Sequence, residues 1–238
     1  DIMQALFVAC SSGADQITIH LREDRRHIQD DDARKIVQST SVPVNLECSI
    51  NKEILDIVCE LKPHRATLVP EKRQEVTTEG GLDVFGYEDE IRYAIEQLHD
   101  AIIPVSLFVD PTMEAVEMSK ELGAEMVELH TGTFANLFAM LNSSLPYSNH
   151  AIEELKLPRY ELSQRLEKSM DDIKQVSKHA KNIGLEVAAG HGLNYHNVSE
   201  MMKIDEITEL NIGQSIIARS VFSGLSEAVK EMKRLTSR

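Results

Sequence analysis

Short apolar runs with the two-residue period of a strand alternate with longer stretches whose apolar positions recur every three to four residues. The first pattern predicts seven strands, at 17–21, 43–49, 65–70, 104–110, 126–132, 186–191 and 207–213. The second predicts eight helices, at 1–12, 30–40, 51–61, 88–101, 112–122, 160–182, 195–203 and 215–236. Asp30 to Asp32 place carboxylates at a helix N-terminus, and Asn51 and Thr112 are expected N-caps. Gly13, Gly123 and Gly184 stand just past helices, where a left-handed residue ends a helix most easily. Strict strand–helix alternation implies parallel strands joined by right-handed crossovers. Seven strands with a leading helix predict an α/β fold, a (β/α)8 TIM barrel with extra helices, whose first strand is missing from the chain and would precede residue 1. An open doubly wound sheet is the competing architecture. It is weaker, because no Gly-x-Gly-x-x-Gly turn follows an early strand and no composition break divides the chain.

The chain therefore reads as one domain over 1–238, with two segments longer than ordinary connections. Residues 71–87 carry Thr77, Thr78, Gly80 and Gly81, and are expected to form an active-site loop that closes over substrate. Residues 133–159 read as an insert with a short extra helix and a mobile link, suited as much to packing or assembly as to catalysis.

Charge and cysteine usage narrow the function. A formal net charge of −14 sets the mean field against nucleic acid, although a small anion responds to the local field of a cleft. No run of 18 apolar residues is present, so no membrane span is expected. Cys10, Cys48 and Cys59 form no Cys-x-x-Cys pair, which suits a reducing, cytoplasmic compartment with each as a small core residue.

In a barrel, the C-terminal ends of the strands converge on one mouth. Those ends carry His20, Glu47, Asp110, Glu128 with His130, His191, and Gly213 with Gln214. His20 opens into Arg22, Arg25, Arg26 and His27; guanidinium forks suit phosphate oxygens, and imidazole exchanges protons near neutral pH. Glu23 and Asp24 offer those cations local partners, so part of the cluster could be a solvated basic turn. Within 43–49, Asn45 and Glu47 share a face opposite Val44, Leu46 and Cys48, which turns Glu47 into the mouth or against a neighbouring arginine. The glycine turns at 189–194 and 211–215 follow the last two strands, where backbone amides and a helix dipole can hold a phosphate or simply make tight turns.

These residues resemble the pyridoxine 5′-phosphate synthase family along essentially the whole chain. The likeness lies in TIHLREDRRHI, the Asn-Leu-Glu at 45–47, LVPEKRQEVTTEGGLDV at 68–84, VSLF, ELHTG at 128–132, AGHGLNYHNV at 189–198 and ELNIG. The resemblance implies an octamer of barrels that condenses 3-amino-2-oxopropyl phosphate with 1-deoxy-D-xylulose 5-phosphate, releasing phosphate and water without metal or organic cofactor. It implies that His20 and Glu47 accept protons, His191 donates one, and Glu128 stabilises the transition state. Arg22, His27 and Thr77 match contacts to deoxyxylulose phosphate. Gly192, Gly213 and position 214 match contacts to the amino ketone phosphate. Position 214, commonly His in the family, is Gln here, which keeps a donor but no charge. The family's first strand, with an Asn and an Asp-His pair, has no counterpart in this sequence, and the stretch 141–159 looks longer than usual. Two other functions fit the same residues. Glu47, Asp110, Glu128, His130 and His191 could ligate a divalent metal in a sugar isomerase or lyase. A barrel that binds phosphometabolites without catalysis would keep the same cations.

Overall fold

A computed structural model describes residues 1–71 and 80–237. Helix α1 (Ile2–Ser11) leads into β1 (Ile17–His20), α2 (Asp30–Ser39), β2 (Val44–Cys48), α3 (Lys52–Leu61) and β3 (Arg65–Leu68). Then follow α4 (Glu88–Asp100), β4 (Val105–Val109), α5 (Met113–Leu122), β5 (Met126–His130), α6 (Gly132–Asn142) and α7 (Arg159–Asn182). The chain ends in β6 (Glu186–Gly190), α8 (Val198–Met201), β7 (Glu209–Asn211), α9 (Gln214–Ser223) and α10 (Leu225–Thr236).

Each strand pairs in parallel with the next, in the order β1 to β7, giving a nearly closed TIM-type barrel. The opening lies between β7 and β1, where side chains bridge it: Thr18 Oγ1 donates to Asn211 Oδ1 at 2.8 Å, and Gln16 Nε2 to Glu209 Oε1 at 2.9 Å. Asn51 and Thr112 cap α3 and α5 by accepting from Glu53 N and Ala115 N. Where the sequence pattern runs on as one helix over 215–236, Gly224 at φ +77° divides α9 from α10. The 133–159 segment holds α6 and two short 3-10 turns. Leu137, Met140 and Leu162 form a small apolar cluster there, joined by Leu145, Ile152 and Leu155.

The strand period sorts residues onto two surfaces. Val44, Leu46, Cys48, Leu68, Leu107, Val127, Leu129 and Val187 turn outward into the core beneath the helices, each fully buried. Burying each valine or leucine side chain contributes roughly 1.5–3 kcal/mol, so this outer layer holds the fold. The inward positions are mostly polar. Register sets Thr18, Asn45 and Arg65 side by side and, two residues nearer the strand ends, His20, Glu47 and Thr67; Arg65 pairs with Glu209 and reaches Gln16, Thr67 donates to Asn45, and Thr18 donates to Asn211. The chemistry-bearing side chains are therefore the top of a polar column set by register.

Candidate active site

His20 ends β1 directly beside Glu47 of β2, its register partner. His20 Nδ1 stands 3.6 Å from Glu47 Oε2, and His20 Nε2 is hydrogen-bonded at 2.9 Å to Glu71 Oε1. The second oxygen of Glu71 accepts from Glu23 N at 3.0 Å. Burial pushes the Glu47 carboxyl above the ordinary range, against the opposing pull of His20.

Glu128 is 3% exposed and accepts from Asn211 Nδ2 at 2.6 Å. Burial, and then the nearby Glu47 carboxylate, push its carboxyl well above the ordinary range. A carboxyl raised in this way favours the folded state most at low pH, and it costs stability as pH rises through its folded value. Glu128→Gln is therefore expected to be more stable than the parent protein at pH 8. The gain is on the order of 1–3 kcal/mol, the scale of an incompletely satisfied buried group, and shrinks toward pH 5. Urea unfolding at both pH values reads this; an equal difference at the two would contradict an upward shift at Glu128.

His191 follows β6 with φ +76°, a left-handed conformation that a residue with a Cβ rarely adopts. Thr131, fully buried, clamps the turn: its hydroxyl donates to the carbonyls of Gly190 and His191, both at 2.7 Å. Backbone strain held by surrounding contacts is typical of functional positions. His130 packs against His191 with ring centroids 4.9 Å apart, and His130 Nδ1 lies 3.1 Å from Asp110 Oδ1. Burial, then the charge of His130, pushes the His191 imidazole below its ordinary range, so a proton placed there leaves readily.

His20, Glu47, Glu128, His191 and Gly213 line one cavity of about 1230 Å³, together with Phe108 and Asn211. It extends from the mouth into the seam between β7 and β1. The other predicted residues that the structure describes are not on its wall. Arg22, 4% exposed, lies two residues beyond His20 with Nε 3.3 Å from Asp24 Oδ1. Arg26 and Arg22 hold the Asp24 carboxyl far below the usual range. The exposed His27 ring meets His20 edge-on at 6.3 Å between centroids. Burial, then His20 and Arg22, push His27 below its ordinary range. Arg25 is structural, tying Asp30, Glu53 and two loop carbonyls together. Gly192 and Gln214 are exposed at the starts of the segments after β6 and β7. Thr77, and most of the expected 71–87 loop, lie outside the described residues.

Sequence reasoning missed Glu71, Asn211 and Thr131. Glu71 stands three residues past β3, and Asn211 ends β7 on the inward face, so the strand-end rule could have found both. Nothing local marks Thr131. Among the described residues, no three His, Cys, Asp or Glu side chains converge to hold a metal, and no helix is long and apolar enough to cross a membrane.

The profile of the pyridoxal phosphate biosynthesis protein PdxJ family matches residues 1–238. The chain belongs to this family. Among PdxJ relatives, a pyridoxine 5′-phosphate synthase of Sulfurimonas denitrificans is 78% identical over all of this chain and 92% of its own length. One of Aliarcobacter butzleri is 60% identical over 98% of this chain and 89% of its own. Likeness to solved structures is at the level of fold. A phosphoribosylanthranilate isomerase from Thermotoga maritima superposes with a TM-score of 0.56 at 14% identity, covering 99% of this chain and 93% of its own. The N-(5′-phosphoribosyl)anthranilate isomerase from Pyrococcus furiosus gives 0.58 at 15% identity, covering 98% and 93%. PdxJ membership and the barrel thus agree with the pattern read from the chain.

Proposed function

We propose that the chain is a pyridoxine 5′-phosphate synthase. It condenses 3-amino-2-oxopropyl phosphate with 1-deoxy-D-xylulose 5-phosphate and releases phosphate and water by acid–base catalysis. The observation that carries this reading, beside the family, is that His20, Glu47, Glu128 and His191 line one cavity. Amine–ketone condensation, dehydration and ring closure are successive proton transfers, and holding two esters side by side replaces a bimolecular encounter. In this reading His20 and Glu47 accept protons. His191, loaded in an earlier step, donates one to a departing oxygen. Glu128, paired with Asn211, stabilises the transition state. Arg22 and His27, with Thr77, take the deoxyxylulose phosphate once Arg22 shares its grip on Asp24. Gly192, Gly213 and Gln214 take the second phosphate at the mouth and the N-terminus of α9.

The test is phosphate release with both substrates present. The parent protein is expected to turn over, unaffected by chelator, and His191→Ala to lose on the order of 10²–10⁴ in kcat, the usual worth of a positioned acid. Binding without release would favour a non-catalytic barrel, and chelator-sensitive turnover a metal-dependent one. We also propose a cytoplasmic homo-oligomer, an octamer as the resemblance implies. Ile217, Val221 and Phe222 of α9, 58%, 79% and 89% exposed, offer an apolar surface for assembly. A monomer mass by light scattering would remove that part.

A further inference from the structure

Glu71 holds one ring nitrogen of His20 and thereby bears on which nitrogen can accept a proton. A carboxylate only accepts hydrogen bonds, and Glu71 offers one oxygen to His20 Nε2 at 2.9 Å while the other takes the Glu23 amide at 3.0 Å. The Glu71 side chain is only 4% exposed, so water does not compete for it. Although burial pushes its carboxyl up, the hydrogen bonds from His20 and the Glu23 amide and the nearby charges of His20 and Arg22 together hold it below the ordinary range. Among the described residues, the other groups near the imidazole are Glu47 from β2 and Arg22 and His27 from the segment after β1.

We propose that Glu71 is a positioning residue that fixes His20 in the tautomer protonated on Nε2, making Nδ1 the atom that accepts the substrate proton. This rests on the acid–base reading above and deepens it. The bond to Glu71 occupies Nε2, so the Nδ1 lone pair is left facing Glu47 Oε2 across 3.6 Å on the cavity side. A substrate proton moves to that lone pair and leaves its electron pair on the substrate. The resulting imidazolium keeps Nε2–H on Glu71 and passes the Nδ1 proton to the Glu47 carboxylate or back to the product. The carboxylate–histidine logic is that of other acid–base sites, where the buried acid orients the ring and is not itself protonated.

The test is long-range proton–nitrogen NMR of histidine-labelled protein, with the His20 signal assigned by its loss in His20→Asn. The neutral ring of the parent protein is expected to carry its hydrogen on Nε2. Glu71→Gln should retain that tautomer, because its amide oxygen still accepts, with kcat reduced about tenfold. Glu71→Ala should lose the preference and on the order of 10²-fold in kcat, with KM within about threefold. Hydrogen on Nδ1 in the parent protein, loss of the preference in Glu71→Gln, or an unchanged tautomer or kcat in Glu71→Ala would each overturn the proposal. If Glu71→Ala does not fold, the parent and Glu71→Gln spectra still decide. The spectra require no turnover, so a protein that releases no phosphate would defeat the functional reading while leaving this result legible.

Discussion

Glu47→Gln is expected to lower kcat for phosphate release by on the order of 10²–10⁴-fold while the protein stays folded, the range lost when a positioned base is removed. Glutamine fills the same volume at the end of β2 and leaves the outward face of that strand, with Val44, Leu46 and Cys48, untouched. It can neither take a proton nor return one to His20 Nδ1, which stands 3.6 Å away. Binding of either ester alone should be nearly unchanged, because Arg22, His27 and the glycine turns assigned to the phosphates lie on other elements. Steady-state kinetics with calorimetric titration of each substrate would separate these effects. A variant with parent-level kcat would remove Glu47 from the proton path, and weakened binding at normal kcat would make it a substrate contact.

The second large effect is expected at a residue without a side chain. Gly190 ends β6 beside the Glu128 carboxyl, and a Cβ there would lie 2.1 Å from Glu128 Oε1, 3.1 Å from its Cδ and 3.2 Å from Asn211 Cβ. Gly190→Ala must push the carboxyl out of its 2.6 Å bond to Asn211 and toward the cavity that both side chains line. Overpacking of this kind costs roughly 1–3 kcal/mol. The displaced carboxyl also leaves the position the proposed function gives it, and a shift of about 1 Å can cost on the order of 10²-fold in rate. Denaturant unfolding and phosphate release, measured on one preparation, should both fall. Parent-level values in both would mean that Glu128 has an alternative position the geometry does not reveal.

Most of the architecture was legible because it depends on local periods. Val44-Asn45-Leu46-Glu47-Cys48 alternates cleanly, and its two faces separate core from mouth as that alternation requires. The seven strands and their parallel order followed from strand–helix alternation in the same way. The helix break at Gly224 was marked by a glycine inside an otherwise continuous apolar pattern, a signal weaker than the pattern around it. The site was legible as strand ends, but its pairings were not. Thr131 clamps His191 from 60 residues away, and His20 meets Glu71 across 51. Such contacts are set by which strands lie side by side, and no local period encodes them.

Division of labour between the two faces of the strands has a further consequence. Because what keeps the chain folded lies outside the barrel wall and the groups proposed to handle reactants lie within it, neighbouring residues on one strand answer to different selective demands. Reactivity in this scaffold can be retuned one inward position at a time, with the helices and their packing left as they are.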